Sequence, residues 1–439
     1  MSTKCFSILV LAFLLIASCA TVNTKYNSDL VNKSVKGSKL LTSHFTGFVL
    51  YDPEAKKYLY ELNADKYFTP GSNTKLFTFY AGLKILKDSI PAFRYYENKD
   101  SLVIFGTGDP TFLHPDFTSQ RAYDFLRDSD KKLFISNQRF QDAAFGPGWA
   151  WDDYEYYFQP ERSGFPMYGN VVSFVQDSLD SVAHIEPKIF NSYTDLLLTK
   201  PVQASSNRSF EHNIFNFFPD TSRSKAKNRV PIKLTDEWLN TLLSDTLKKP
   251  VNSIKLEMDS SKLYYSRSAM EIYALMLKAS DNLIAEQILY LCADQMGIQL
   301  NSSIVRNYII KNFLNDIASK PIWVDGSGLS RYNLMTPRSF INLLEKIKKE
   351  VSDEKLLALL PIGGVDGTIK NWYAPEEGEA PYVFAKTGTL SNNHSLSGFV
   401  KTKKGKLLTF SFMNNNYSGS SSEVKFEMEK VLRMVRDRY

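Results

Sequence analysis

Cysteine is scarce in this chain: three in 439 residues, at positions 5, 19 and 292. No CxxC pair occurs, so zinc-knuckle and dithiol redox chemistry have no sequence support. The five histidines are scattered. GxSxG elbows, HExxH helices and P-loops are also missing, which removes the local signatures of α/β-hydrolases, zincins and nucleotide phosphate binders. There is no long internal repeat, and the only low-complexity stretch is the short Ser418–Ser422 loop. The most apolar segment, Phe6–Ala17, is too short to span a bilayer comfortably. A net charge of +6 is too weak and dispersed to argue for nucleic acid. What is present describes an ordinary folded protein, 43% hydrophobic and 23% charged. The length is too great for a single compact core.

Lys4 followed by Phe6–Ala17 has the layout of an export signal over residues 1–18. Ile16-Ala17-Ser18-Cys19 resembles a bacterial lipobox. It implies acylation of Cys19 and a lipid-anchored, exported protein on the periplasmic or cell-envelope side of a membrane. A simple secretory signal cut slightly later, or an uncleaved anchor, is the alternative. Cys292 follows Ile284, Ala285, Ile288 and Leu289 at helical spacing and reads as a core residue.

Thr46–Tyr51 and Lys57–Leu62 flank Asp52-Pro53-Glu54 and predict a hairpin. After the Pro70-Gly71 break, Ser72 onward reads as a helix buried on most sides. Residues 91–257 are aromatic, turn-rich and strand-like, and read as an inserted, mixed, mostly β domain. Helical periodicity returns over Ser268–Gln295 and Ser303–Ile317 and again after Pro337. Tyr382–Thr389, Ser395–Lys401 and Lys406–Met413 predict a meander turning at Lys404-Gly405. The last helix begins near Ser422, with Val424, Met428, Val431, Leu432 and Val435 on one face. The expected architecture is α/β (α+β): a mainly antiparallel sheet completed by both chain ends and flanked by helices, with 19–90 and 258–439 forming one domain around the insertion.

Three short motifs occur in order: Ser72-Asn73-Thr74-Lys75, Ser280-Asp281-Asn282 and Lys386-Thr387-Gly388. Singly they are weak, since SxxK recurs at Ser129/Lys132, Ser222/Lys225 and elsewhere, normally as solvated surface. Ser72 is distinguished by its place at a helix start, where unpaired amides favour a developing oxyanion. Lys75 lies one turn on, followed by Leu76 and Phe77. Partial desolvation there lowers an amine's pKa and suits it to act as a general base toward a serine. Ser280-Asp281-Asn282 begins or interrupts a helix, where Ser and Asn are also ordinary N-caps. Lys386–Thr389 ends a strand; Gly388 between two threonines would let a substrate backbone approach by β-addition, with Lys386 meeting a carboxylate.

With these motifs the chain resembles the penicillin-binding protein 4 type of D-alanyl-D-alanine carboxypeptidase/endopeptidase, of the penicilloyl-serine transferase superfamily. The resemblance extends to Gly106-Thr107-Gly108-Asp109-Pro110, Gly148–Asp153, Asp325–Arg331, Gly364–Thr368 and Leu396-Ser397-Gly398, in family order. It implies a β-lactamase/transpeptidase-like catalytic domain. It also implies that Ser72 forms an acyl-enzyme, Lys75 takes its proton, Ser280 relays a proton to the leaving amine and Asn282 binds substrate and Lys75. Lys386 would supply positive charge and, with Thr387, Gly388 and Thr389, seat the terminal carboxylate; the amides of Ser72 and Thr389 would form the oxyanion hole. Asp153 would meet the amine of a diamino-acid side chain, unless Trp149 and Trp151 are simply core and Asp153 exposed. The implied partners are peptidoglycan peptides, β-lactam antibiotics as covalent inhibitors, and a membrane through the lipid anchor; no metal or organic cofactor is implied. Ser327 receives no catalytic role. His394 departs from the family pattern, where a smaller residue is expected, and either narrows the mouth of the site or faces solvent. A β-lactamase of the same superfamily would need an ExxLN-like segment after Ser280, and the near match Asp236–Asn240 lies before it. A catalytically silent wall-binding protein is opposed by the intact trio.

Overall fold

The structure is a computed structural model that describes residues 26–177, 184–197, 204–219, 225–257, 261–317 and 319–439. The export signal at 1–18 and Cys19 lie outside the described residues. Two compact units divide the chain. The first holds the described residues up to Asn73, Asp316–Ile322 and Leu334–Tyr439; the second holds Thr74–Asn315 and Trp323–Asn333.

The first unit is built on a five-stranded antiparallel sheet ordered Val383–Leu390, Asn393–Lys401, Leu407–Asn415, Phe45–Asp52, Lys57–Leu62. The N-terminal hairpin is thus completed by the C-terminal meander. The hairpin turns where the Asp52 carboxylate accepts the Ala55 amide at 2.9 Å, and the last pair turns at Gly405, φ +84°, which glycine adopts without steric cost. Alternation places Phe48 and Leu50 on one face and Val49 on the other. On the first face Phe48 stacks on its cross-strand neighbour Phe412, 4.4 Å between centroids. The helix Ser421–Arg438 covers them with Val424, Met428, Val431, Leu432 and Val435, the face legible in the sequence. Ser420 and Glu423 close a reciprocal capping box at its start. On the other face Ile341, from the helix Pro337–Glu350, packs on Val49, and Thr409 donates to Glu345 at 2.6 Å. Covered on both sides, the strand Asn393–Lys401 is buried at every position but its last. Each large apolar side chain so enclosed contributes about 1.5–3 kcal/mol.

The second unit contains a mixed five-stranded sheet, Val251–Ser253, Lys132–Ser136, Ser101–Gly106, Ser89–Glu97, Lys262–Ser268, and two three-stranded sheets drawn from 171–231. One apolar cluster, from Ala92 to Val251, fills this region. The helix Lys75–Ile85 is buried from Lys75 through Gly82 and packs on Asn282–Gln295. The stretch Ser268–Gln295, helical in period, is two helices, Ala269–Lys278 and Asn282–Gln295. The break is Ser280, whose φ of +61° lies in the left-handed region that costs a non-glycine residue about 1–2 kcal/mol. Asp281 restarts the helix by accepting the Ile284 amide at 2.8 Å. Cys292 is fully buried in that helix, as its spacing predicts.

Candidate active site

Ser72 and Lys386–Thr389 belong to the first unit; Lys75, Asp153, Ser280 and Asn282 belong to the second. Ser72 lies, half-buried, in a 3-10 turn, Gly71–Thr74, and the α-helix proper begins at Lys75. The turn is fixed to the sheet from both sides. Asn73 Nδ2 donates to Ser397 Oγ at 2.9 Å, Ser397 pairs with Ser411 Oγ at 2.9 Å, and Asn415 Nδ2 donates to the Thr69 carbonyl at 3.2 Å.

Packing inside the first unit by itself requires a glycine at 388. A Cβ at position 388 would fall 2.0 Å from the Pro70 carbonyl oxygen, 2.7 Å from the Asn73 nitrogen and 3.0 Å from the Ser72 nitrogen. A Cβ on Gly71, φ +54°, would fall 2.9 Å from the Thr389 nitrogen. The backbone that needs the missing side chain is therefore the chain's own nucleophile turn, and the two glycines let the backbones of 70–73 and 388–389 converge. Lys386 is fully buried and its Nζ donates to the Thr387 carbonyl at 2.9 Å. Thr387 donates through its hydroxyl to Thr368 Oγ1 at 2.7 Å. His394 neither faces solvent nor narrows an opening. It is 1% exposed, directly opposite Thr389 in the sheet, with Nδ1 2.8 Å from Thr389 Oγ1. Burial, reinforced by the charges of Lys425 and Lys386, pushes its pKa down to about 3, so the ring is neutral across the physiological range.

In the second unit Lys75 is fully buried, and its Nζ donates to Asn282 Oδ1 at 2.5 Å and to the Ser327 carbonyl at 2.7 Å. Asn282 in turn donates through Nδ2 to the Phe158 carbonyl at 2.7 Å, which fixes the amide with its oxygen toward the lysine. Burial lowers the Lys75 pKa to about 8 against the opposing pull of Asp281, Asp325 and Glu286. The amine is thus partly neutral near neutral pH while held by two acceptors, as a proton-accepting lysine requires.

Three further residues contribute to this setting: Ser327 and Asp325, from the Asp325–Arg331 segment, and Glu286. Ser327 acts through its carbonyl oxygen, and its amide is held by Glu286 Oε1 at 2.7 Å. Glu286 is one helical turn beyond Asn282, so the only sequence signal is that i, i+4 spacing. Asp325, fully buried, accepts the amides of Gly328 (2.9 Å) and Ser330 (2.7 Å), Asn333 Nδ2 (2.7 Å) and Trp149 Nε1 (2.9 Å). An asparagine offers one acceptor oxygen where the carboxylate offers two. Asp325→Asn therefore strands at least one buried donor and is expected to cost roughly 2–5 kcal/mol, read as a lowered denaturation midpoint.

The tryptophans separate in role. Trp149 is half-buried against Asp325, with the Arg162 guanidinium over its ring, whereas Trp151 is 77% exposed. Asp153 is half-buried, and its pKa is raised by burial and by Asp152, with Arg331 opposing.

A buried lysine with a lowered pKa, held by an asparagine amide and following a half-buried serine by three residues, is the arrangement that a serine acyl-transfer enzyme with a lysine base requires. The chain belongs to the D-Ala-D-Ala carboxypeptidase 3 (S13) family, whose model matches residues 30–187 and 235–436, and is by class a serine-type D-alanyl-D-alanine carboxypeptidase. It is 23% identical to the D-alanyl-D-alanine carboxypeptidase DacB of Haemophilus influenzae, over 94% of this chain and 92% of that one. Its fold is that of the crystal structure of penicillin-binding protein 4 (dacB) from the same organism, with a TM-score of 0.72 and 21% identity, covering 92% of this chain and 98% of the other. A second crystal structure of that protein, complexed with a novel β-lactam, gives a TM-score of 0.66 at 19% identity, covering 93% and 98%.

Proposed function

We propose that the protein is an exported carboxypeptidase/endopeptidase that cleaves D-alanyl-D-alanine stem peptides and D,D-cross-links of peptidoglycan through an acyl-enzyme on Ser72. The observation that carries this reading is Lys75: an amine with no exposed surface, between Asn282 Oδ1 and the Ser327 carbonyl, with its pKa at about 8. Lys75 takes the hydroxyl proton as Ser72 attacks the penultimate D-Ala carbonyl, and the amides of Ser72 and Thr389 receive the oxyanion. Ser280 passes a proton to the leaving amine, and Asn282 orients both lysine and substrate. Lys386, Thr387 and Thr389 face the terminal carboxylate, and water completes the cycle. Asp153 is assigned to the side-chain amine of a diamino acid, supported by its half-buried place beside the exposed Trp151. Residues 91–257 are read as an accessory insertion, supported by an apolar cluster whose fully buried members run from Ala92 to Val251. Cys19 is assigned as the lipid-bearing residue of an exported protein anchored to a membrane on the periplasmic or cell-envelope side. A β-lactam, the ligand named for the related crystal structure, is expected to acylate the same serine.

Incubation with a fluorescent penicillin followed by peptide mapping tests the assignment. One label on the Ser72 peptide is expected, and none on Ser72→Ala. Undiminished labelling of that variant, or no labelling of the wild type, would refute it. Incubation with pentapeptide and cross-linked dimer muropeptides then separates release of D-Ala from cleavage of the cross-link.

A further inference from the structure

On the edge strand Val383–Leu390, Thr387 and Thr389 point to the same face, and both have been assigned to a substrate carboxylate. To bind a carboxylate a hydroxyl must donate, and each has one hydrogen to give. That of Thr387 is committed to Thr368 Oγ1 at 2.7 Å. Thr389 is exposed, and its oxygen lies 2.8 Å from Nδ1 of the buried His394. The state of the imidazole therefore decides which way the Thr389 hydrogen points.

A neutral imidazole carries one hydrogen. If it sat on Nε2, Nδ1 would be an acceptor, the Thr389 hydrogen would turn inward to it, and the oxygen lone pairs would face an incoming carboxylate. Nε2, however, is buried and has no hydrogen-bond partner among the described residues. A hydrogen there would be a buried donor without an acceptor, the costlier way to leave a polar group unsatisfied. With the hydrogen on Nδ1, the ring donates to Thr389 Oγ1 and only a bare ring nitrogen is left in the core. The charged groups acting on the ring, Lys386 and Lys425, are both cationic and oppose a second proton. One arrangement satisfies all the donors: Nδ1–H to Thr389 Oγ1, and the Thr389 hydrogen directed outward.

We propose that His394 is a positioning residue that, by donating from Nδ1 to Thr389 Oγ1, fixes the Thr389 hydroxyl as a donor to the carboxylate of the substrate or of a β-lactam. The inference rests on the proposed function for the identity of the ligand, and on the His394–Thr389 geometry for the rest.

Nitrogen-15 NMR of the imidazole in the full-length protein reads the tautomer directly, independent of any activity. An Nδ1-protonated, Nε2-bare ring is expected, and an Nε2-protonated ring overturns the proposal. Acylation of Ser72 by benzylpenicillin and by its methyl ester reads the consequence. His394→Leu is expected to lower the rate constant per concentration for the acid by about tenfold and to leave that for the ester within twofold. His394→Asn, which places an amide donor at the same position, retains most of the wild-type preference for the acid. In a Thr389→Val background His394→Leu has no further effect. Equal losses for acid and ester, or an undiminished effect without the threonine hydroxyl, overturn the proposal. Failure of the wild type to react with either compound refutes the proposed function instead, and the tautomer measurement still decides the His394 assignment.

Discussion

Lys75→Met is expected to slow acylation of Ser72 by roughly 10²–10⁴-fold, the usual worth of a positioned general base, while the protein stays folded. Methionine has the length and flexibility to occupy the channel of the lysine stem. It removes the amine that Asn282 Oδ1 and the Ser327 carbonyl hold. The wild-type rate should depend on pH in a matching way. Lysine accepts a proton only when neutral, and burial has brought its pKa down to about 8. Acylation therefore rises with pH through the neutral range and levels off above about 8, and the variant lacks that limb. Stopped-flow acylation with a fluorescent penicillin between pH 6 and 10 measures both. A variant retaining more than a tenth of the wild-type rate would remove Lys75 from the base role.

Gly388→Ala is expected to lower acylation by more than 100-fold and to cost about 1–3 kcal/mol of stability. The added Cβ meets the Pro70 carbonyl at 2.0 Å, a backbone atom with no rotamer to change. Nor is the turn free to retreat, since Asn73 is held by Ser397 and Thr69 by Asn415. The strand and the nucleophile turn must separate, and the amides of Ser72 and Thr389 separate with them. Gly405→Ala is the control: its φ of +84° makes alanine strained, yet nothing lies within 4 Å of the added carbon. It should cost on the order of 1 kcal/mol and leave acylation unchanged. Thermal melts and acylation rates of the two variants separate steric separation of the strands from general loss of stability.

The three motifs and the sheet are legible because both are written in short-range patterns. The β-rich runs Thr46–Tyr51 and the meander, with helices between them, suggest one sheet, and the spacing of Val424, Met428, Val431, Leu432 and Val435 marks the buried face of the last helix. What escaped depends on partners distant in sequence. The helical period across Ser268–Gln295 is continuous because both helices bury the same kind of face, so the left-handed Ser280 is invisible to it. Ser327 contributes a backbone oxygen, which any residue type would supply. His394 is buried because strands on either side and the helix bearing Lys425 enclose its strand, and a strand's own sequence does not say whether its second face is covered. Gly388 between two threonines is legible as a place of close backbone approach, but that the nucleophile turn comes so near it is visible only in the fold.

The pairing of Phe45–Asp52 with Leu407–Asn415 has a consequence for how the molecule is made. Its register joins Phe45 to Asn415, so one edge of the first strand waits for a partner that follows the whole of the second unit. Contacts this remote in sequence slow folding, because loop-closure entropy must be spent before they form. A chain that emerges N-terminus first leaves the early hairpin with an open, apolar-faced edge until that later strand arrives. Through that interval it is a template for mispairing with other chains. The strand that completes the sheet, and the helix that covers it, both follow the whole of the second unit in the chain.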